Sequence, residues 1–319
     1  MTTIYPYPII AGPTASGKTT VAVELAKRLG GEVVSADSMQ IYDGISIGTA
    51  RPSEEEMQGV PHHLLGFIPL SEAYSVARYT QDADRVFRDV FSRGRKPILC
   101  GGTGLYIQSF SENIQFFQQE SNDLLRARLK ARATLEGGAA LLAELSKVDP
   151  ETAARLHEND INRIVRALEV YHTTGQTISE QARLSKATPS PYDRCLFLLN
   201  YRNRDVLYER IERRVDRMLE AGLLAEAERV YNDAPRATVL QAIGYKELLP
   251  YLRGEDSLEN VVAQLKISTR HYAKRQLSWF NRMDGVRTIY VDDYTDLSAV
   301  VDAIEQQFIT FCKEGRGDG

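Results

Sequence analysis

The chain has 319 residues, 43% hydrophobic and 26% charged, with a net charge of −4. That length holds about two domains at ~150 residues each and allows a sizeable core. The negative balance argues against a general nucleic-acid binder but permits a local basic groove, and no apolar run approaches the ~18 residues of a membrane span.

The N-terminus (Met-Thr-Thr-Ile-Tyr-Pro-Tyr-Pro) has no basic segment and no signal-like apolar stretch. The three cysteines, Cys100, Cys195 and Cys312, form no C-x-x-C and no zinc spacing. Both features lead us to expect a cytoplasmic protein. A short apolar run, Ile9-Ile10-Ala11, precedes Gly12-Pro-Thr-Ala-Ser-Gly17-Lys18-Thr19, and Val21, Leu25 and Leu29 follow at helical spacing. The strand, the G-x-x-x-x-G-K-[ST] loop and the helix are the setting of a phosphate-binding loop. Its amides and helix N-terminus attract a polyphosphate, Lys18 reaches its oxygens, and the Thr19 hydroxyl is placed for Mg²⁺. Which polyphosphate binds is not written in the loop.

Gly30-Gly31 stops the helix, and Glu32–Asp37 reads as a second strand. Asp37 is then the first polar residue beyond a buried strand end, where ligands of open parallel sheets collect. A turn or helix-cap aspartate is the plain alternative. Ser53-Glu-Glu-Glu56 reads as a helix start. His62-His63 opens a short strand; neighbouring strand residues point opposite ways, so structural histidines are expected rather than a metal pair. Residues 74–94 fit an amphipathic helix. Lys96–Cys100 is a buried strand running into Gly101-Gly102-Thr103-Gly104. Where an ATPase usually places its magnesium-binding acid, this strand delivers Thr103, which argues against routine ATP hydrolysis.

From 119 to 192 strand signals vanish. Leu124–Ser146, broken at Gly137-Gly138, and Ile161–Thr174, with Arg163 and Arg166 beside its apolar side, read as helices. Cys195–Leu199 returns as a strand. We therefore expect an α/β fold: a P-loop NTPase-like parallel sheet core flanked by helices (1–118 and 193–319), with an inserted, mainly helical domain (119–192). Asp205–Asn232 reads as one long helix, with Arg210, Arg214 and Arg217 flanking its apolar stripe. These arginines fit a cleft or a salt-bridged surface equally well. Residues 261–283 contain no acid. Lys266, Arg270 and Lys274 lie four apart, with Tyr272, Trp279 and Phe280 interleaved. Such a segment suits RNA, the alternative being core aromatics and a solvated basic face. Val286–Val291 reads as a last strand and Leu297–Phe311 as a last helix, before a tail from Lys313 expected to be disordered.

Seven stretches in this order resemble the bacterial tRNA dimethylallyltransferases: 12–19, Ser-Ala-Asp-Ser-Met-Gln-Ile-Tyr (35–42), Ile-Gly-Thr-Ala-Arg-Pro (47–52), His-His-Leu-Leu (62–65), Gly-Gly-Thr-Gly-Leu-Tyr (101–106), Arg-Ile-Val-Arg-Ala-Leu-Glu-Val (163–170) and Gln-Ala-Ile-Gly-Tyr-Lys-Glu (241–247). The resemblance implies transfer of a dimethylallyl group from dimethylallyl diphosphate to N6 of the adenosine 3′ of certain tRNA anticodons, with Mg²⁺. It implies Asp37 as general base, with Thr103 and Arg214 on the diphosphate. Gly12, Thr14, Ala15, Ser16, Gly17, Lys18 and Thr19 hold the diphosphate, and Thr19 the metal. Asp37, Ser38, Met39, Gln40, Thr103, Asn162, Arg163, Arg166 and Arg126 contact tRNA, joined by the basic row Lys266, Arg270 and Lys274. The target base is expected to flip out into a channel beside Asp37. A monomer is sufficient. The chain departs from the family pattern at Gly66 and Asn162, where the family commonly has Asp and Gln. The rival readings are a prenyltransferase of free adenine nucleotides, a P-loop kinase of a small metabolite, and a non-catalytic RNA-binding protein.

Overall fold

A computed structural model of the protein describes residues 5–116, 122–233 and 238–314. In chain order its elements are β1 (Tyr5–Ala11), α1 (Lys18–Leu29), β2 (Gly31–Ser35), α2 (Glu54–Met57), β3 (His62–His63), α3 (Val76–Ser92), β4 (Lys96–Gly101), α4 (Gly104–Ser111), α5 (Asp123–Glu136), α6 (Gly138–Val148), α7 (Pro150–Ala153), α8 (Ile161–Thr174), α9 (Ile178–Ala187), β5 (Tyr192–Asn200), α10 (Arg204–Glu220), α11 (Leu223–Asp233), α12 (Leu249–Leu252), α13 (Leu258–Phe280), β6 (Arg287–Tyr290) and α14 (Leu297–Glu314). The contacts divide the chain into two compact units: Met1–Ser111 with Pro191–Gly319, and Glu112–Ser190. The sequence boundary at 118/119 falls outside the described residues, as does the tail beyond Glu314.

The larger unit is an all-parallel sheet of six strands in the order β3-β2-β4-β1-β5-β6. Its strands are apolar on both faces because helices cover both. On one face Ile10, Ile98, Cys195, Phe197 and Leu199 pack with Val21 and Leu25 of α1 and Val300, Ile304 and Phe308 of α14. On the other, Tyr7, Ile9, Leu99, Leu196 and Leu198 meet Tyr79 and Phe87 of α3, Ile107 of α4, Ile211 of α10 and Leu277 of α13. Ala11 pairs with Gly101 in register, so the loops leaving β1 and β4 emerge side by side at the carboxyl edge of the sheet. The chain turns one way after β1 and the other after β4, which makes this edge the crevice where such sheets bind ligands.

One sequence expectation fails here. The helix read over 205–232 is two helices, because Gly222 turns the chain with φ +99 between α10 and α11. The break lets Leu223, Ala227 and Val230 join Ile41, Ile45, Val215, Tyr245 and Leu265 in a separate apolar cluster.

The smaller unit is wholly helical among its described residues. Leu129 of α5, Leu141 and Leu145 of α6 and Ile164, Val165 and Leu168 of α8 form its core. The sequence misses α7 and α9, although both carry start signals: Asp149 caps α7 ahead of Pro150, and Thr177 with Glu180 forms a capping box on α9.

Candidate active site

The loop from Gly12 to Gly17 follows a fully buried strand and must bend sharply. A side chain at Gly12 would lie 2.8 Å from both the Leu199 carbonyl and Ser16 Oγ. Gly17, at φ +90, lets the backbone swing into α1, whose first-turn N–H groups are left for a ligand. Ser16 Oγ is buried without a hydrogen-bond partner inside the loop. Lys18 Nζ donates to the Pro13 carbonyl at 2.7 Å. Burial, reinforced by the charge of Arg214, pushes its pKa down to about 8, so an arriving anion regains a fully charged ammonium.

Asp37 sits just past β2. One of its carboxylate oxygens accepts the amides of Met39 at 2.9 Å and Gln40 at 3.3 Å, which fixes the turn. The cap reading and the cleft reading of this aspartate both hold, because the carboxylate also lines a cavity of about 410 Å³ with Thr14, Lys18, Thr19 and Arg214. Val215, Met218, Leu223, Ile243 and Leu265 add apolar lining to the same cavity. Polar groups for an anion and an apolar wall for a short hydrocarbon thus share one space. Thr103 lies two residues beyond Gly101 and bonds Ser38, both of which line this cavity. Its N–H donates to the Ala36 carbonyl at 3.1 Å, and its hydroxyl accepts the Ser38 amide at 3.0 Å and donates to the Ser38 hydroxyl at 3.3 Å. Gln40 donates through Nε2 to the Thr49 and Ala50 carbonyls, 3.1 Å each, so its amide already bridges two loops.

A wider groove of about 1410 Å³ shares Lys18, Thr19 and Arg214 with this cavity and continues past Arg51, Arg210 and Arg217. Arg210 Nε donates to the Ala15 carbonyl at 2.9 Å, bracing the phosphate loop from α10. Arg214 makes no salt bridge with a described residue; burial lowers its pKa, opposed by the charge of Asp37. Guanidinium remains charged at any ordinary pH, so Arg214 is a half-buried cation lining the cavity.

The residues expected on RNA fare differently. Lys266 pairs with Asp216 at 2.6 Å and Arg270 with Glu212 at 3.0 Å, both acids on α10. Lys274 is exposed, makes no such pair, and lies 5.8 Å from the Tyr208 ring centre. Phe280 is core, while Trp279 is half-buried. In the helical unit, Arg126 donates to both carboxylate oxygens of buried Glu169, and Arg166 adds a third contact at 3.0 Å. Burial alone would raise the Glu169 pKa, but these two guanidinium groups outweigh it and hold it below the usual value. Asn162 and Arg163 are exposed on α8. His62 and His63 are structural: His62 Nδ1 lies 2.8 Å from the Val60 carbonyl and His63 Nε2 lies 2.7 Å from buried Glu32.

Sequence reasoning overlooked two side chains that shape the cavity. Glu226 accepts the amides of Ser46, Ile47 and Gly48 and the Tyr245 hydroxyl, at 2.7 to 3.1 Å, which pins the loop ahead of Thr49. Gln276 bridges the phosphate loop and the β4 turn. Glu226 looked like an ordinary helix-surface acid. Gln276 had a faint signal, an uncharged polar residue amid the cations and apolar side chains of an acid-free helix.

The family model for IPP transferase matches residues 40–283. The chain is similar to the tRNA dimethylallyltransferase of Caldanaerobacter subterraneus subsp. tengcongensis, 46% identical over 90% of this chain and 92% of that one. It is also similar to that of Halalkalibacterium halodurans, 47% identical over 87% and 88%. Among solved structures it resembles the full-length tRNA isopentenylpyrophosphate transferase of Bacillus halodurans (TM-score 0.72, 40% identity, 98% and 99% coverage). It resembles a eukaryotic dimethylallyltransferase acting on tRNA as well (TM-score 0.81, 31% identity, 96% and 80% coverage).

Proposed function

This chain belongs to the IPP transferase family and is an enzyme of the tRNA dimethylallyltransferase class, and from that premise we propose how its residues act. The donor is dimethylallyl diphosphate and the acceptor is N6 of the adenosine 3′ of a tRNA anticodon. The observation that carries this reading is the shared cavity, in which Lys18, Arg214 and Asp37 stand beside an apolar wall.

The diphosphate lies in the Gly12–Thr19 loop, with Lys18 and Arg214 on its oxygens. Thr14 is a partial exception, since its N–H already donates to Gln276. The allylic C–O bond breaks as the C–N bond forms, and diphosphate leaves with the electron pair. Cations preorganised at the leaving oxygens stabilise the charge that develops there. Asp37 takes the N6 proton as the amine becomes bonded to carbon. With one oxygen held by Met39 and Gln40 amides, the carboxylate is fixed in orientation. Thr103 and Ser38 line the approach of the base.

The residues fit a Mg²⁺ ion that relies on substrate. No group of three or more His, Cys, Asp or Glu among the described residues could cage a metal, and Mg²⁺ keeps waters and binds through substrate phosphates with few protein ligands. Thr19, beside Asp37 in the cavity, would hold it, and the ion would supply further charge neutralisation for the leaving diphosphate.

For tRNA, exposed Lys274, Arg163 and Asn162 are the contacts we favour. Lys266, Arg270, Arg126 and Arg166 are engaged by carboxylates within the chain. Among the described residues no helix is long and apolar enough to cross a membrane, and we propose a cytoplasmic monomer.

The test is transfer of label from dimethylallyl diphosphate, with Mg²⁺ and no ATP, to unmodified tRNA or to AMP. Label at N6 of one tRNA adenosine, absent from AMP, is expected. Asp37→Asn should cut the rate by ~10²–10⁴. Label in AMP would move the protein to the free-nucleotide prenyltransferases, and full activity in the Asp37 variant would remove the general-base role.

A further inference from the structure

Two side chains on one face of α13, Gln276 and Trp279, grip the turn that follows β4. Spaced i, i+3, they project together. Gln276 Nε2 donates to the Gly102 carbonyl at 2.9 Å. The Trp279 ring lies so close to Gly104 that a side chain there would come within 2.5 Å of it. A side chain at Gly102 would come within 2.2 Å of Gln276 Nε2. The two glycines are thus small because α13 occupies the space.

Gln276 also reaches the other loop. Its Oε1 accepts the Thr14 amide at 2.9 Å, and the side chain is only 6% exposed. One buried carboxamide therefore satisfies one donor in the phosphate loop and one acceptor in the turn that presents Thr103. Its two ends are not interchangeable, since the amide must accept on one side and donate on the other.

We infer that Gln276 is a positioning residue for prenyl transfer, setting the distance between the diphosphate loop and the Thr103 turn. It touches no reacting atom. It fixes Thr14 against Gly102, so the loop is preformed when the diphosphate arrives and the leaving group is held in line with the base. The assignment rests on the proposed reaction, but its primary measurement does not. Binding of inorganic pyrophosphate reads the loop directly.

The experiment compares wild type, Gln276→Leu and Gln276→Glu by calorimetric titration with pyrophosphate and Mg²⁺, by tRNA binding, and by label transfer. Gln276→Leu leaves two buried groups unpaired and should weaken pyrophosphate about tenfold, lower kcat, and leave tRNA affinity within about twofold. Gln276→Glu keeps the size. Ionised, its carboxylate faces the Gly102 carbonyl oxygen without a proton to donate. Protonated, it donates to Gly102 and still accepts from Thr14. Burial beside a carbonyl raises such a carboxyl pKa, so its pyrophosphate affinity relative to wild type should recover as pH falls from 8 to 6. A purely structural role predicts a deficit in melting temperature with no such recovery. Pyrophosphate affinity unchanged in Gln276→Leu, or a pH-independent deficit in Gln276→Glu, overturns the assignment; if the leucine variant does not fold, the glutamate variant decides. Wild type that binds pyrophosphate but transfers no prenyl group sinks the proposed reaction while the clamp is still measured.

Discussion

Two rows of cations at the same helical spacing have opposite fates in this molecule. Arg210, Arg214 and Arg217 follow one face of α10, and Lys266, Arg270 and Lys274 follow one face of α13. In sequence the first row is surrounded by Glu209, Glu212 and Asp216, while the second has no acid from 261 to 283. Local composition therefore favours the second as the anion-binding row. The fold reverses this. On α10 Glu212 and Asp216 each lie two residues, about half a turn, from Arg214, and residues two apart do not share a face. Glu212 and Asp216 turn toward α13 and pair with Arg270 and Lys266, leaving Arg214 at the cavity without a carboxylate partner. A cation's availability is decided by the facing element, which neighbours in sequence do not report.

The largest test of the contrast removes one cation from the cavity. Lys18→Met or Arg214→Ala withdraws a charge aimed at the leaving diphosphate. Loss of a preorganised donor of this kind costs ~10²–10³ in rate. Steady-state transfer to tRNA measures it, and a change below threefold in both variants would show that the cavity cations are not the ones used.

The α13 row predicts a smaller and two-signed response. Lys274→Gln should weaken tRNA binding alike for cognate and non-cognate sequences and lower the salt dependence of binding by about one. Glu212→Gln should do the opposite, since it releases Arg270 for phosphate. Filter binding between 50 and 200 mM salt separates the two. Unchanged binding and salt dependence in both variants would mean that α13 does not meet RNA.

What sequence reveals follows from how local the determinant is. The phosphate loop is legible because its glycines and Lys18 act within eight consecutive residues. Asp37 and Thr103 are legible because each is the first functional side chain past a buried strand, and parallel strands deliver such residues to one edge. The ends of α8, Ile161 and Thr174, are legible because Gly175 stops the helix. Gln276 and Glu226 are not, since their partners lie 262 and about 180 residues away. The resemblance places Arg126 and Arg166 on RNA; that both also pair with Glu169 is not legible, because Glu169 looks like any helical glutamate until its burial is known. Arg126→Gln should accordingly cost the helical unit ~1–3 kcal/mol, measured by urea unfolding, whereas Arg163→Gln should leave its stability unchanged.

The weakest effect contrasts the two rows through stability alone. Burial lowers the Lys18 pKa to about 8 in the folded chain, against 10.5 when unfolded. Below pH 8 both states carry the proton, and the folded state bears the full cost of a charge that is buried and faces the charge of Arg214. Above 10.5 neither state carries it and the cost is gone. Between these values the unfolded chain binds more protons, so Lys18 destabilises less as pH rises. Lys18→Met should therefore be more stable than wild type at pH 7, with the difference shrinking toward pH 10. Lys266 is paired with Asp216: Lys266→Met should be less stable than wild type, by no more than about 1 kcal/mol. Urea unfolding of both variants across pH 7–10 measures the difference. A Lys18→Met protein that starts less stable than wild type at pH 7 would mean that the loop lysine is held by its neighbours rather than strained against them, and the unpaired character of the cavity cations would be lost as an argument.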